Sequence, residues 1–543
     1  MEHLELIVFG LLVAVAGLVL LANATNVPYP IFLVIGGLAL GFVPGIPDIE
    51  LAPEVVLLIF LPPLLYGSAF FSSPRDLRAN VRPIGLLSVG LVVLTMLVVG
   101  GMAHWAVGLS WPVAFVLGAI VSPTDPVAAT AIAERLGVPR RIVTVLEGES
   151  LVNDGTALVL YQAAVRVAVG GAAFSVLELG ALGVRFVVGL VVGVAIGLLV
   201  GFIITGVRRR IEDPLVEITI SLLTGYAAYL PVEELNASYV PASGVLAAVT
   251  AGLYLGWHAP RLTSANNRLQ MFAVWEVLTF MLNSVLFILV GLQLPGILEG
   301  ISEYYPLSTL ASYAAAISLA VIVARFVWVF PATYIPRKVS RRLRERDPSP
   351  PWQGVAVLAY AGMRGAVSLA AALAIPLTTQ DGTPFPGRDI VIFLTFCVIF
   401  VTLVGQGLTL QPLIRWLDIH DDGASEKEEA KARLLAAEAA LDRIEELADE
   451  DWVYDDTAER MRGLYGYRLR RFAARHEGSV GENEDGEEED LEARSAAFQR
   501  FRRELLGAER DAVLRLRSEG KIGDEVMRRI ERDLDLEDSR LEA

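Results

Sequence analysis

Thirteen times along this chain an apolar run recurs that is long enough to cross a bilayer. A helix rises 1.5 Å per residue and the hydrocarbon core is about 30 Å thick, so about 20 apolar residues span it. In lipid every backbone N–H and C=O needs a partner within the protein. The expected fold class is therefore an all-α polytopic membrane protein. The spans fall near 5–23, 29–45, 54–71, 83–108, 112–136, 142–169, 182–206, 215–231, 241–257, 271–294, 307–335, 353–377 and 388–412. The first run, Leu6 to Ala22, could be taken for a signal peptide. Glu2 and Glu5 lie in and before its start and no Lys or Arg does, which is the wrong leading charge. It reads as a retained span.

Charge supplies the topology. The loops after spans three, five, seven, nine and eleven carry 17 Lys and Arg between them. The alternate loops carry only Arg388, or three with Arg166 and Arg185 at helix ends. The positive-inside rule then puts the N-terminus outside and the C-terminal tail in the cytoplasm, which needs an odd number of spans. From Asp418 onward there are 37 acidic and 22 basic residues, against 24 and 23 before it. Two regions follow: a membrane domain over 1–417 and an acidic tail over 418–543. The tail opens with a helix-prone run, Glu426 to Glu450, in which Leu434, Leu441 and Ala448 repeat at seven and hint at a short coiled coil. Its stretch 477–492 reads as disordered. Residues 493–541 read as two helices broken near Gly520 to Gly523. The acidic balance argues against nucleic acid as a partner. The single cysteine, Cys397, excludes an internal disulfide and a cysteine metal cluster.

Span five holds Ser122-Pro123-Thr124-Asp125-Pro126, and span six holds Glu149-Ser150-Leu151-Val152-Asn153-Asp154. Two prolines in four residues cannot sit in an unbroken helix. Such a break survives in a membrane only where its backbone lines a cavity or is buried in protein. Asp125 and Asp154 fall near the middle of their spans, where a carboxylate is by default a functional-site hypothesis. Span twelve has glycines around a central arginine, Gly362-Met363-Arg364-Gly365. With span seven as a linker, spans one to six and eight to thirteen form two six-helix units, each broken at its fifth member. The odd spacer inverts the second unit. Interrupted helices at matching places in two inverted halves point to the site of a secondary transporter.

The chemistry follows from residue type. Ser150 and Asp154 share one helix face, and Glu149 and Asn153 share the next. Thr124 and Asp125 face them with a hydroxyl, a carboxylate and free carbonyls. This constellation offers oxygens, which suit Na⁺, at its contact points. A site that holds either a proton or a cation exchanges them by competition, and Asp154 is the residue expected to do so. Half-helix ends within the membrane carry partial charges that Asp125 and Arg364 could compensate. Arg364 could instead pair with Glu149, which would otherwise be an uncompensated buried acid. Glu276 and Arg325 read as a structural pair or as snorkelling side chains, Glu217 as a wetted helix-end residue, and His104 and His258 as span-end residues. Gly189, Gly193, Gly197 and Gly201 leave one face of span seven bare for contact within the subunit or with a second copy.

These motifs, with Phe60-Leu61-Pro62-Pro63 in span three, resemble the monovalent cation:proton antiporter family of bacterial and archaeal NhaP-type antiporters and eukaryotic Na⁺/H⁺ exchangers. The resemblance covers the membrane domain, and Glu509 to Leu541 is similar to the tails of bacterial members. It implies a homodimer of thirteen-span subunits, each with a core and a dimerisation domain. It implies Na⁺ at Asp154, Asp125, Ser150 and Thr124, with Asn153 beside them and Glu149 paired with Arg364. Some relatives carry an acid after the paired prolines of span three. This chain has Tyr66-Gly67-Ser68 there, which leaves Ser68 as a weak substitute. The expectation is an electroneutral 1:1 Na⁺/H⁺ antiporter of the plasma (inner) membrane. It binds Na⁺ and H⁺, with Li⁺ or K⁺ possible, uses no cofactor and is not an enzyme. K⁺/H⁺ exchange is the alternative, ahead of a cation channel or a membrane sensor.

Overall fold

Each of the thirteen apolar runs is helical in the computed structural model of the protein, which describes residues 4–25, 27–43, 53–170, 176–211, 213–237, 242–302, 305–421, 423–448, 450, 452–478 and 487–542. Eleven spans are continuous: Leu4–Thr25, Tyr29–Gly41, Pro53–Phe71, Val81–Val107, Arg140–Gly170, Val176–Arg208, Pro214–Ala237, Gly244–Leu262, Ala265–Ser302, Leu307–Val339 and Arg388–Trp416. Spans five and twelve are broken. Span five is Trp111–Ile120 and Val127–Arg135, and span twelve is Trp352–Tyr360 and Ala366–Leu373. The chain divides into two compact units, Met1–His420 and Asp421–Ala543.

Two short helices on the basic loops, Pro74–Ala79 and Arg341–Arg346, have no apolar run to reveal them. Serine N-caps start both: Ser73 Oγ accepts from the Asp76 N–H and Ser340 Oγ from the Leu343 N–H, each at 3.3 Å. The basic ends they join are drawn onto one acid. Asp347 accepts from Arg337 at 2.6 Å and from Arg141 at 2.8 Å, which ties the ends of spans eleven and six together.

The glycine face of span seven packs inside the subunit. A Cβ at Gly193 would lie 2.6 Å from the Ser243 carbonyl, and one at Gly197 2.5 Å from the Ala247 carbonyl. Glycine thus lets spans seven and nine touch backbone to backbone. The opposite face, with Val187, Val191, Leu199 and Phe202, is apolar and exposed, as lipid or a second membrane helix requires.

Glu217 is not wetted. It is 2% exposed and accepts from Arg208 at 2.6 Å, Thr263 at 2.8 Å and Asn267 at 2.8 Å. The ends of spans seven, eight, nine and ten converge there. Three donors offset the cost of burying the carboxylate.

In the second unit, helices Ala424–Ala448 and Asp455–Gly478 pack on each other, joined by Arg462 to Glu445 at 2.7 Å and by Arg433 over the Phe472 ring. Helices Glu487–Ser518 and Asp524–Glu542 pair through Arg510 to Asp535 at 2.7 Å and Arg517 to Asp524 at 2.7 Å. The acidic stretch 477–492, expected to lack structure, is helical at 477–478 and 487–492. Its middle, 479–486, lies outside the described residues.

Candidate functional site

The breaks in spans five and twelve meet. The Asp125 N–H donates to the Met363 carbonyl at 2.8 Å, so each break supplies a partner for the other. Several other backbone groups freed by the breaks also find protein partners. Ser150 Oγ donates to the Thr124 carbonyl at 2.8 Å. The Arg364 N–H donates to Thr402 Oγ1 at 3.0 Å, and Gln406 Nε2 to the Tyr360 carbonyl at 3.0 Å. Thr402 and Gln406 belong to a wide helical turn, Val401–Gln406, that re-aims span thirteen toward the break. Irregular backbone at this depth is tolerated only where such partners are supplied.

Asp125 sits where two half-helices begin. Its Oδ1 accepts from the Val127 N–H at 3.0 Å, and the backbone at Gly365 and Ala366 comes close to its carboxylate. Val127 and Ala366 each open a half-helix, so the carboxylate faces two positive helix ends. A Cβ at Gly365 would fall 1.8 Å from Asp125 Oδ2, so only glycine leaves room for this arrangement.

Glu149 pairs with Arg325 of span eleven, not with Arg364. Glu149 is 1% exposed and Arg325 2%. Arg325 Nη1 bonds Glu149 Oε1, and Nη2 donates to Oε2 at 2.8 Å. The same guanidinium donates to the Leu358 carbonyl through Nε at 3.2 Å and Nη2 at 3.0 Å. Leu358 lies in the last turn of the half-helix Trp352–Tyr360. Arg325 therefore neutralises both the buried acid and the negative helix end, the roles assigned to Arg364 from sequence. It reaches them past Gly362, where a Cβ would meet the Arg325 side chain at 2.3 Å. Span eleven has no local motif to mark the arginine. The available signal was a lone cation in the apolar run Ile317 to Phe330, facing a glycine. Arg364 is fully buried and donates through Nη1 to the Gly362 carbonyl at 3.2 Å, while its Nε and Nη2 have no partner among the described residues. Glu276, the other suggested partner of Arg325, is exposed.

Thr124 is the hub between the two motifs. Its Oγ1 donates to Glu149 at 3.2 Å and accepts from Asn153 Nδ2 at 2.8 Å. Asn153 thus holds Thr124 and does not line the cavity. Thr124, Asp125, Ser150 and Asp154 do line it, a space of about 320 Å³ that continues past Ser68, Thr130 and Glu147. Thr279 and Asn283 of span ten close its far wall; neither was singled out from the sequence. Asp154 is 7% exposed, and among the described residues no hydrogen-bond donor reaches its carboxylate. The site thus joins one carboxylate fixed by two helix ends, one fixed by an arginine, and one facing the cavity without a donor.

The profile of the family described as sodium/hydrogen exchanger, transmembrane, matches residues 10–416. An uncharacterised Na⁺/H⁺ exchanger of Mycobacterium tuberculosis is 39% identical over 542 residues, which is 98% of this chain and 97% of the relative. The Na⁺/H⁺ antiporter ApNhaP of Aphanothece halophytica is 34% identical over 467 residues, 85% of this chain and 83% of the relative. The structure of the sodium proton antiporter MjNhaP1 of Methanocaldococcus jannaschii superposes with a TM-score of 0.62 at 21% identity, covering 77% of this chain and 99% of that one. At that identity the likeness concerns the fold.

Proposed function

The chain belongs to the sodium/hydrogen exchanger family, a family of membrane transporters, and we propose from that premise that it exchanges Na⁺ for H⁺ across the plasma membrane. The proton and the cation compete for Asp154, and alternating access presents the site to each side in turn. The single observation that carries this reading is the Asp154 carboxylate, which faces the cavity beside Asp125, Ser150 and Thr124 with no donor among the described residues. A carboxylate without a fixed donor can accept either a proton or a cation. Asp125 and Glu149 are each held by fixed positive partners, so one group titrates per cycle. The stoichiometry is 1:1 and the exchange electroneutral.

The cation lies among Asp154, Asp125, Ser150 and Thr124, with Asn153 fixing the Thr124 hydroxyl. The basic loops lie in the cytoplasm and the N-terminus outside. On that topology the cavity, which runs toward the Arg140 end of span six, opens to the cytoplasm. The exposed apolar face of span seven is compatible with a homodimer in lipid, and the exchange serves pH homeostasis.

The test is reconstitution in liposomes with a lumenal pH dye. External pulses of Na⁺ should make the lumen alkaline. A response to K⁺ with none to Na⁺ would make the protein a K⁺/H⁺ antiporter, and silence to Na⁺, Li⁺ and K⁺ would overturn the reading.

A further inference from the structure

Among the described residues the cavity wall carries three ionisable groups, Asp125, Asp154 and Glu147, and no basic side chain. Asp125 is absorbed by two helix ends, and Asp154 is the exchanging carboxylate. Glu147 has neither role. It lies on span six at the i, i+3, i+4 and i+7 spacing with Ser150, Leu151 and Asp154, so all four face the cavity from one stripe of helix. Seven residues of helix place it about 10 Å from Asp154 along the axis, toward the basic loops.

The charges around Glu147 do not cancel it. Glu134, on the second half of span five, is close enough to repel it, and Arg140 is close enough to attract it. Arg140 also bonds Asp76 at 3.3 Å, and its side chain is 65% exposed to solvent, which screens its pull. Thr130 and Ser72 line the same end of the cavity with hydroxyls. A half-buried carboxylate is left at the entrance of a path that ends at a cation site.

We propose that Glu147 concentrates the monovalent cation at the mouth of the cavity and sets the affinity seen from that side, without exchanging a proton itself. Low-dielectric walls lined with one sign of charge raise the local concentration of the opposite ion. The inference rests on the exchange reading above. Two unit charges about 10 Å apart, at an effective dielectric between about 20 and 80, change an affinity by about two- to fifteenfold.

The experiment uses the full chain in oriented liposomes at alkaline pH, where protons compete least. Glu147→Gln should raise the KM for Na⁺ by about two- to fifteenfold from the side of the basic loops only, with Vmax unchanged, and Glu147→Asp should restore it. In the wild type, adding an inert bulky salt should raise that same KM, and in Glu147→Gln it should not. This salt dependence tests the proposal even where the glutamine variant folds poorly. An unchanged KM, a KM raised equally from both sides, or a wild-type KM indifferent to salt would overturn the role of Glu147. Absence of Na⁺-driven exchange in the wild type would instead remove the reading it depends on.

Discussion

Removing the Arg325 side chain tests the internal electrostatics most severely. Arg325→Ala strips Glu149 of both guanidinium donors and the Leu358 carbonyl of two more hydrogen bonds. Glu149 is 1% exposed, so water cannot replace them without opening the bundle. Breaking a buried pair by removing one partner costs about 3–5 kcal/mol, and an orphaned carbonyl adds about 1 kcal/mol. Arg364→Ala removes one hydrogen bond of 3.2 Å and a charge whose other two nitrogens have no partner among the described residues, so its cost should stay below that of Arg325→Ala. The assay is melting of the purified variants in one detergent, arranged as two double-mutant cycles with Glu149→Gln. The Arg325–Glu149 coupling should exceed the Arg364–Glu149 coupling, since close buried pairs couple at roughly 0.5–3 kcal/mol and two hydrogen bonds join Arg325 to Glu149 while none is described between Arg364 and Glu149. A larger cost or coupling at Arg364 would refute the pairing and restore the sequence expectation.

Vesicles clamped at several potentials with K⁺ and valinomycin, once K⁺ is shown not to be transported, should reach the same endpoint of Na⁺-driven proton flux at every voltage. An endpoint that follows the voltage means unequal charges cross. Truncation after Leu417 should leave exchange with an altered pH profile, since every residue assigned to chemistry precedes it; a well-folded but inactive truncation would show that the tail is needed for transport itself. Gly197→Leu should lower the melting temperature of the isolated subunit by an amount equivalent to about 1–3 kcal/mol, because its Cβ alone meets the Ala247 carbonyl at 2.5 Å and the Thr250 Cβ at 2.7 Å. Unchanged melting with a lost dimer would move that face to the subunit interface.

The spans were legible because a bilayer forces a length and a composition on any helix that crosses it. The breaks in spans five and twelve were legible for a local reason as well: prolines at 123 and 126 and glycines at 362 and 365 cannot continue a helix without penalty. What joins the breaks was not legible. The bond from Asp125 to Met363 and those from Thr402 and Gln406 depend on three spans meeting at one depth. Arg325 was missed because the arginine beside the recognisable glycines, Arg364, lies within a motif, and sequence distance says nothing about which guanidinium reaches Glu149. Glu217 was misjudged in the same way. One helix end looks wet, but four converging ends are dry. Asn153 was expected beside the ligands, and its side chain turns, one step of about 100° along the helix from Asp154, onto Thr124.

Competition between proton and cation at Asp154 is the central claim, and proton release on cation binding tests it without any transport step. Purified protein in detergent, held in weak buffer near the midpoint of its pH profile, is titrated with Na⁺ while released protons are counted and bound Na⁺ is measured in parallel. Between zero and one proton should appear per Na⁺ bound, rising toward one as the starting pH is lowered and the carboxylate begins fully protonated. Asp154→Asn should release none. Na⁺ binding without proton release at any starting pH, or release that persists in Asp154→Asn, would contradict the account.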